Sequence, residues 1–199
     1  MRVLRKSSTI SLATAIAVLA LTISSIAQDG QSNYKTKIKN FGCINENYFR
    51  GAQPKDQDYK DLAKMGVKTV INLRLGGKSD EQQLVEAAGM NYVYIGMKDD
   101  KRPSDAQVQE FLKIVNDPAN QPVFVHCIGG RHRTGLMTAV YRIEKDGWDV
   151  AKAYDEMKKF DFGYGFGHGD LKDYVFDYYS QKEQNSSVGA STAVGSSKK

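Results

Sequence analysis

Residues 123–135 read Val-Phe-Val-His-Cys-Ile-Gly-Gly-Arg-His-Arg-Thr-Gly, an apolar run that leads into a cysteine, two glycines and a basic stretch. The apolar run is typical of a short buried strand, and Thr134 can open a helix. Five residues lie between Cys127 and Arg133, enough for a loop whose backbone N–H groups all point inward. A loop of this kind, closed by a helix N-terminus, binds a tetrahedral oxyanion. We call residues 127–133 the phosphate loop.

The residue types in the phosphate loop indicate a reaction as well as a binding site. Inward N–H groups that hold an oxyanion also stabilise a thiolate, so Cys127 is predicted to ionise near neutral pH and to act as a nucleophile. The planar guanidinium of Arg133 can donate two parallel hydrogen bonds to two phosphate oxygens, a bidentate geometry that lysine lacks. The other predicted phosphate-binding residues are Ile128, Gly129, Gly130, Arg131 and His132. We therefore predict hydrolysis of phosphate monoesters through a phosphocysteine.

Neighbours of the nucleophile are predicted to support it. Thr134 can donate its hydroxyl to the sulfur and ease its departure, or cap the following helix, and both roles stay open. His126 is expected to lock the loop by hydrogen bonds to the backbone rather than to act as a base. Gly129 and Gly130 would allow a positive φ or a close approach to the anion. The three histidines and two cysteines show no metal-ligand spacing, so we expect neither a metal nor another cofactor.

Outside the phosphate loop, strands alternate with helices. Apolar runs predict strands over residues 67–73, 91–95 and 123–126, after a hairpin formed by residues 38–41 and 47–50. Capping and stop signals predict helices over residues 56–65, 79–88, 104 to before Pro118, 134–145, 149–160 and 171–181. This alternation is typical of an α/β fold. We expect a central, mainly parallel sheet, helices on both of its faces, and the phosphate loop after the central strand.

The chain divides into four predicted segments. Basic residues (Arg2, Arg5 and Lys6) precede an apolar stretch over residues 10–23 and a small-x-small site at residues 25–27. This pattern predicts a signal peptide over residues 1–27 and an exported protein, either periplasmic or secreted. An uncleaved membrane anchor is the alternative, although the apolar stretch falls short of the ~20 residues of a spanning helix. A polar leader (28–37), a catalytic domain (38–183) and a disordered tail (184–199) are expected to follow.

The distribution of charge bears on the partners of the protein. The formal net charge is +5, and removal of the three basic residues of the signal peptide lowers it to +2. We therefore expect no nucleic-acid partner, and no stable membrane insertion after cleavage. Basic residues do cluster in two loops: Lys98, Lys101 and Arg102 in one, and Arg131, His132 and Arg133 in the other. If both clusters face one pocket, they favour a phosphorylated protein or a small polyanion as substrate.

Cys43 is the second cysteine of the chain. Two cysteines in an exported protein suggest a disulfide, but oxidation of Cys127 would remove the nucleophile. We expect Cys43 to be a half-buried strand residue. A regulatory bridge between Cys43 and Cys127 is the alternative.

A proton donor for the leaving alkoxide is expected in residues 97–105, which we call the acid loop. This loop reads Met-Lys-Asp-Asp-Lys-Arg-Pro-Ser-Asp and lies between a strand end and a capped helix. Asp99 and Asp100 are both candidates, whereas Asp105 is typical of a first-turn residue that favours the helix dipole. A glycine-rich stretch over residues 163–169 is either a flap that brings His168 to the site or a connecting loop.

Residues 126–135 resemble the phosphate loop of the cysteine-based protein tyrosine phosphatase superfamily, and of its dual-specificity branch in particular. Residues 48–54, Tyr-Phe-Arg-Gly-Ala-Gln-Pro, are similar to the opening segment of the atypical dual-specificity phosphatases of plants and fungi and of their bacterial relatives. Residues 71–74, Ile-Asn-Leu-Arg, are similar to a strand-and-loop motif of the same group. The resemblance covers residues 41–179.

The resemblance implies a phosphatase fold and the substrates of that group: phosphotyrosine peptides and, for some members, inositol pyrophosphates or phosphoinositides. It implies that the general acid lies four residues before a proline, which selects Asp99 before Pro103 and leaves Asp100 second. Several members carry lysine where this chain has Gly130 or Arg131. Here Arg131 and His132 are expected to keep the loop basic, so a multiply phosphorylated substrate fits. The signal peptide departs from the mostly intracellular members of the group.

Three other functions compete with a protein phosphatase. Rhodanese-type sulfur transferases also place a cysteine loop after a central strand, but their loop is shorter and lacks the Arg-Thr-Gly closure. A catalytically weak phosphate-binding module would have lost the cysteine, the arginine or the acid, whereas Cys127, Arg133 and Asp99 are all present. An inositol phosphate or phosphoinositide phosphatase is the third alternative.

Overall fold

The computed structural model describes residues 34, 36–76, 80–163 and 167–195, with side chains up to residue 187. These residues form a five-stranded sheet with the strand order β1-β2-β5-β3-β4. The strands are β1 (Gly42–Asn45), β2 (Tyr48–Gly51), β3 (Thr69–Arg74), β4 (Asn91–Met97) and β5 (Val123–His126). The predicted signal peptide lies outside the described residues.

Strand β5 lies in the middle of the sheet and pairs in parallel with β2 and with β3. Strand β4 continues the parallel sheet beside β3, and β1 forms the other edge as the antiparallel partner of β2. All four residues of β5 are buried, because a central parallel strand is covered on both faces. The prediction of a mainly parallel sheet with the phosphate loop after its central strand is confirmed.

Helices cover both faces of the sheet. They are α1 (Asp56–Lys64), α2 (Glu81–Ala87), α3 (Asp105–Asn116), α4 (His132–Lys145), α5 (Val150–Lys159) and α6 (Gly169–Gly195). Helices α3 to α6 share one hydrophobic cluster with Val123 and Val125, whereas α1 and α2 share the other with Phe124. This split follows from the two-residue period of side chains along a strand, and it confirms the predicted helices on both faces. No helix in the described part of the chain is long and apolar enough to cross a membrane.

The first strand begins later than predicted. Strand β1 starts at Gly42, and residues 38–41 form a turn in which Asn40 has a left-handed φ of 53°. Ile38 and Phe41 are still buried, in the cluster that contains Phe124. Their apolar character therefore reflects a loop packed on the sheet rather than a strand.

Helix α4 begins earlier than predicted. It starts at His132, with Arg131 in the N-cap position, so Thr134 is the third residue of the helix and not its cap. Arg133 is thus the second residue of the helix, and the helical backbone of this first turn fixes its position. Helix α2 starts at Glu81, and Ser79, its predicted cap, lies outside the described residues.

The last helix extends into the segment for which the sequence predicts a disordered tail. Helix α6 continues to Gly195, through most of residues 184–199. The tail offers little apolar surface of its own, but α6 is anchored in the core at Leu171 and Val175. Once a helix has been nucleated, each further residue adds a hydrogen bond at small cost, and serine and alanine tolerate it.

Candidate active site

Cys127 directly follows β5, at the carboxyl end of the central strand, and is 3 % exposed. Burial raises the pKa of its thiol. The Thr134 hydroxyl and N–H, the charge of Arg133 and the Gly130 N–H, all of which favour the thiolate, outweigh that effect. The resulting pKa lies below the ordinary value of 9.0, which favours the nucleophilic thiolate. The structure thus brings Cys127, Arg133 and Thr134 together as the sequence predicts.

Arg133 connects the phosphate loop with the acid loop. Its side chain is buried, and Nη1 donates to the Met97 carbonyl over 3.1 Å. The Leu75 N–H donates to the same carbonyl over 3.2 Å, so the ends of β3 and β4 meet at the arginine. The guanidinium donors that Met97 does not use can bind phosphate oxygens.

Gly130 gives the phosphate loop its closed shape. It has a left-handed φ of 67°. A Cβ at this position would lie 2.5 Å from the Gly51 carbonyl carbon and 2.6 Å from the Ala52 nitrogen. Glycine is therefore required both by the backbone angle and by space. At Gly129 the φ is not left-handed, and the nearest atoms to a Cβ would belong to the Arg131 side chain, at 3.6 Å.

A buried carboxylate, Glu81, stands behind the nucleophile. Its Oε1 lies 2.9 Å from His126 Nε2. Oε1 also accepts hydrogen bonds from Tyr59 (2.8 Å) and Gln53 (2.8 Å), and Oε2 accepts one from Asn72 (2.6 Å). Burial raises the pKa of Glu81, but the hydrogen bond and attraction to His126 and the other donors outweigh burial, so this pKa lies below 4.5. The network fixes the ring of His126, whose Nδ1 lies 3.3 Å from the Cys127 carbonyl.

Sequence reasoning missed this network. Gln53 and Asn72 do lie in the two segments that resemble the phosphatase motifs, and that resemblance was the available signal. Glu81 gave none, because a glutamate in the first turn of a helix is ordinarily a solvated residue that complements the dipole.

The acid loop brings Asp99 to the phosphate loop. The Asp99 carbonyl lies 3.2 Å from His168 Nδ1, and the ring of His168 stacks on that of His132 with centroids 3.4 Å apart. The carboxylate Oδ2 of Asp100 lies 3.9 Å from Lys101 Nζ. The main chain of Asp99 is thus linked to the phosphate loop through His168 and His132.

His132 is neutral at physiological pH. Burial of the imidazole has the largest effect on its pKa, and electrostatic repulsion from His168, Arg131 and Arg133 adds to it. Together they lower the pKa of His132 to about 4. The expectation that His132 adds positive charge to the loop is therefore wrong. His168, at the end of the glycine-rich stretch, does reach the site, and residues 164–166 of that stretch lie outside the described residues.

Three other basic residues near the site are paired with carboxylates. The pairs are Lys101–Asp170 (3.8 Å), Arg102–Asp177 (2.7 Å) and Arg131–Asp161 (3.7 Å). Two of these pairs join the acid loop to α6. They also weaken the positive field that the sequence predicted for this pocket, because each cation has a local counter-ion.

Cys43 and Cys127 are both free thiols. Cys43 lies in β1, half-buried as predicted, and its Sγ donates to the Asn45 carbonyl over 3.4 Å. Burial raises the pKa of the Cys43 thiol. The Cys127 thiol is therefore more easily ionised than an ordinary cysteine, and the Cys43 thiol less easily.

Comparison with known proteins places the chain in a family. The family model that matches residues 26–167 is described as PTP-NADK, a DSP-PTPase phosphatase fused to NAD+ kinase. The dual specificity protein phosphatase TpbA of Pseudomonas aeruginosa (strain UCBPP-PA14) is 34 % identical over 116 residues, which are 58 % of this chain and 51 % of TpbA. Inositol diphosphatase DSP4 of Arabidopsis thaliana is 27 % identical over 127 residues, which are 61 % of this chain and 63 % of DSP4. The chain thus spans less than two thirds of each of these two relatives.

Solved structures agree with the sequence comparisons. The crystal structure of P. aeruginosa TpbA superposes with a TM-score of 0.60 at 31 % identity, covering 70 % of this chain and 84 % of that one. A variant of TpbA solved in complex with pTyr gives a TM-score of 0.59 at 31 % identity, covering 68 % of this chain and 82 % of that one. The family match includes all five strands and the phosphate loop. The chain therefore belongs to the cysteine-based protein tyrosine phosphatase superfamily, in its atypical dual-specificity branch, a family of phosphoric monoester hydrolases.

Proposed function

We propose that this protein is an exported phosphatase that hydrolyses phosphate monoesters through a phosphocysteine intermediate. The observation that carries the proposal is the buried sulfur of Cys127, whose pKa is lowered by Thr134, Arg133 and Gly130. An inert structural cysteine in the same burial would have a raised pKa, as Cys43 has.

The proposed reaction has two displacements at phosphorus. The Cys127 thiolate attacks the phosphorus while Arg133 and the loop N–H groups hold the non-bridging oxygens. The bond to the leaving oxygen breaks, and Asp99 transfers its proton to that oxygen. Water then attacks the phosphocysteine and gives a proton to the Asp99 carboxylate. The sulfur–phosphorus bond breaks, and the Thr134 hydroxyl stabilises the departing thiolate by a hydrogen bond.

The rim of the site favours an aryl phosphate, such as a phosphotyrosine side chain. Three large hydrophobic side chains are exposed in segments around the phosphate loop: Leu75 (57 %), Tyr94 (46 %) and Ile128 (60 %). Leu75 lies close to Arg133, because its N–H and the Arg133 guanidinium donate to the same Met97 carbonyl. An exposed apolar rim stabilises an aromatic leaving group by burial, and the relative TpbA has been solved with pTyr.

An inositol diphosphatase is the second candidate function. The observation in its favour is the likeness to DSP4, together with the basic residues of the acid loop. Two of them, Lys101 and Arg102, are engaged with α6 through Asp170 and Asp177, which weighs toward the aryl phosphate. A panel of a phosphotyrosine peptide, a phosphoserine peptide and an inositol pyrophosphate separates the two candidates. We expect the highest kcat/KM on the phosphotyrosine peptide, and a preference for the inositol pyrophosphate would reverse this assignment.

Turnover of p-nitrophenyl phosphate in the presence of a metal chelator tests the reaction itself. We expect Cys127→Ser to abolish it, because a serine hydroxyl is not ionised in this loop. The matched control is Cys43→Ser, which removes the other thiol and should keep the activity of the parent. Turnover that survives Cys127→Ser, or binding of phosphate with no turnover by the parent, would overturn the proposed reaction.

Export is tested by expression of the full chain in a bacterium with an outer membrane. We expect a mature protein that begins at Gln28 and lies outside the cytoplasm, since residues 1–27 have the pattern of a signal peptide. Recovery of the intact chain, with Met1, from the cytoplasm alone would contradict the proposal.

A further inference from the structure

A fully buried arginine, Arg50, lies against the outside of the phosphate loop. It belongs to the Tyr-Phe-Arg-Gly motif of β2, a segment to which the proposed reaction assigns no role. Its side chain is 0 % exposed, and Nη2 donates to the Gly130 carbonyl. The guanidinium carbon lies 4.0 Å from the centroid of the Phe160 ring. The aromatic face and the Gly130 carbonyl together fix the position of this side chain.

Asn40 binds the same part of the loop. Its Nδ2 donates to the carbonyls of Gly130 (3.0 Å), Gly129 (3.3 Å) and Phe160 (3.0 Å). Its left-handed φ of 53° sets the turn before β1 that carries this amide to the loop. The Gly129 and Gly130 carbonyls thus each have a donor on the outer side of the loop.

Outward carbonyls dictate inward N–H groups. In a planar trans peptide, the C=O of one residue and the N–H of the next point in opposite directions. Holding the Gly129 carbonyl outward therefore turns the Gly130 N–H inward, and holding the Gly130 carbonyl outward does the same for the Arg131 N–H. The Gly130 N–H is in fact one of the groups that lower the pKa of the Cys127 thiol.

The buried positive charge of Arg50 is a second feature of this residue. Its Nε and Nη1 are buried and have no hydrogen-bond acceptor among the residues that the structure describes. Burial lowers the pKa of Arg50 to about 10, so the side chain stays cationic at neutral pH. The ionisable groups that act on it are Tyr48, Glu156, Cys127 and Arg142. A buried cation is stabilised by nearby anions; Glu156 supplies one, and ionised Cys127 supplies another.

We propose that Arg50 and Asn40 are positioning residues of the phosphate loop, which hold its carbonyls outward so that its N–H groups face the sulfur and the phosphate. Arg50 has a second effect, since its positive charge stabilises the Cys127 thiolate from behind the loop. This inference rests on the proposed phosphocysteine chemistry and assigns to it two residues that lie outside the loop.

The test measures the pKa of the Cys127 thiol and the affinity of the phosphate loop for phosphate, neither of which requires turnover of a substrate. The rate of Cys127 alkylation by iodoacetamide, followed against pH, gives the thiol pKa, and protection by inorganic phosphate gives its Kd. We expect Arg50→Met to raise the thiol pKa by about one unit and the phosphate Kd about tenfold. Arg50→Lys, which keeps a charge, should recover most of the thiol pKa.

Arg142→Met is the control for the loss of a guanidinium that packs on an aromatic ring. Arg142 also lies over an aromatic ring, 4.2 Å from Trp148, but pairs with Glu156 and Asp146. We expect it to lower thermal stability and to leave the thiol pKa and the phosphate Kd within about twofold of the parent. Equal shifts in Arg50→Met and Arg142→Met would mean that Arg50 acts only through general stability.

Asn40→Gly keeps the left-handed turn and removes only the amide donor. We expect it to raise the phosphate Kd about fivefold, with a smaller effect on the thiol pKa than Arg50→Met, because no charge is lost. If Asn40→Gly and Arg50→Lys both match the parent in Kd and thiol pKa, the inference is wrong, even should Arg50→Met fail to fold. A parent thiol that stays unreactive at neutral pH would instead refute the proposed function.

Discussion

Alanine at position 130 should open the phosphate loop while the rest of the domain stays folded. The left-handed φ of 67° disfavours alanine by about 1–2 kcal/mol. The added Cβ would also lie 2.5 Å from the Gly51 carbonyl carbon, a contact with rigid backbone. Overpacking of this kind costs about 1–3 kcal/mol. Together the two terms come to about 2–5 kcal/mol, which is about 30-fold to a few thousand-fold in the population of the closed loop.

The assay for Gly130→Ala is kcat/KM on p-nitrophenyl phosphate, with Gly129→Ala as the matched control. The atoms nearest to a Cβ at Gly129 would belong to the flexible Arg131 side chain, at 3.6 Å, so this variant should stay within about threefold of the parent. Gly130→Ala should lose at least about 30-fold in kcat/KM. Equal activities of the two alanine variants, at equal thermal stability, would refute the argument that Gly130 closes the loop.

Three further predictions concern groups around the loop. Asp99→Asn should lower kcat on an alkyl phosphate by about 100-fold or more but change turnover of nitrophenyl phosphate only slightly, because that leaving group needs no proton; equal losses on both substrates would argue against an acid role. Glu81→Gln should lower the free energy of unfolding by about 1–3 kcal/mol at neutral pH, measured in urea. Since the pKa of Glu81 is below its ordinary value of 4.5, the stabilisation by this carboxylate is present above pH 4.5 and is lost as the pH falls through the lower folded pKa; a deficit that persists well below that range would contradict this reasoning. The ring of His132 should titrate near pH 4 by NMR, so that its protonation favours the unfolded chain from pH 6.5 downward; a titration at pH 6.5 would show that its burial and basic neighbours have no effect.

Local patterns predicted the centre of the molecule well. The apolar run before Cys127 is β5. Asp105 lies in the first turn of α3, at whose N-terminus Ser104 and Gln107 form a capping box. These features depend on contacts between residues close in the chain, and the periodicity of the sequence records them. The mainly parallel topology then follows from the alternation of strands and helices.

Contacts between distant residues could not be derived from local patterns. Glu81 meets His126 across 45 positions of sequence, and Asn40 meets Gly130 across 90. The apolar residues around Asn40 predicted a strand, whereas the structure uses them to hold a turn against the sheet. Thr134 fits an N-cap by residue type, but the helix begins two residues earlier, and its hydroxyl acts on the sulfur instead. In each case a tertiary contact overrides a local preference.

The most direct test of the central claim is rapid acid quenching of the parent enzyme during turnover of nitrophenyl phosphate, followed by mass spectrometry of its peptides. The account predicts one phosphoryl group on the peptide that contains Cys127, formed within the first turnover and absent from Cys127→Ser. Steady turnover with no phosphoryl group on Cys127, or with the group on another side chain, would contradict it.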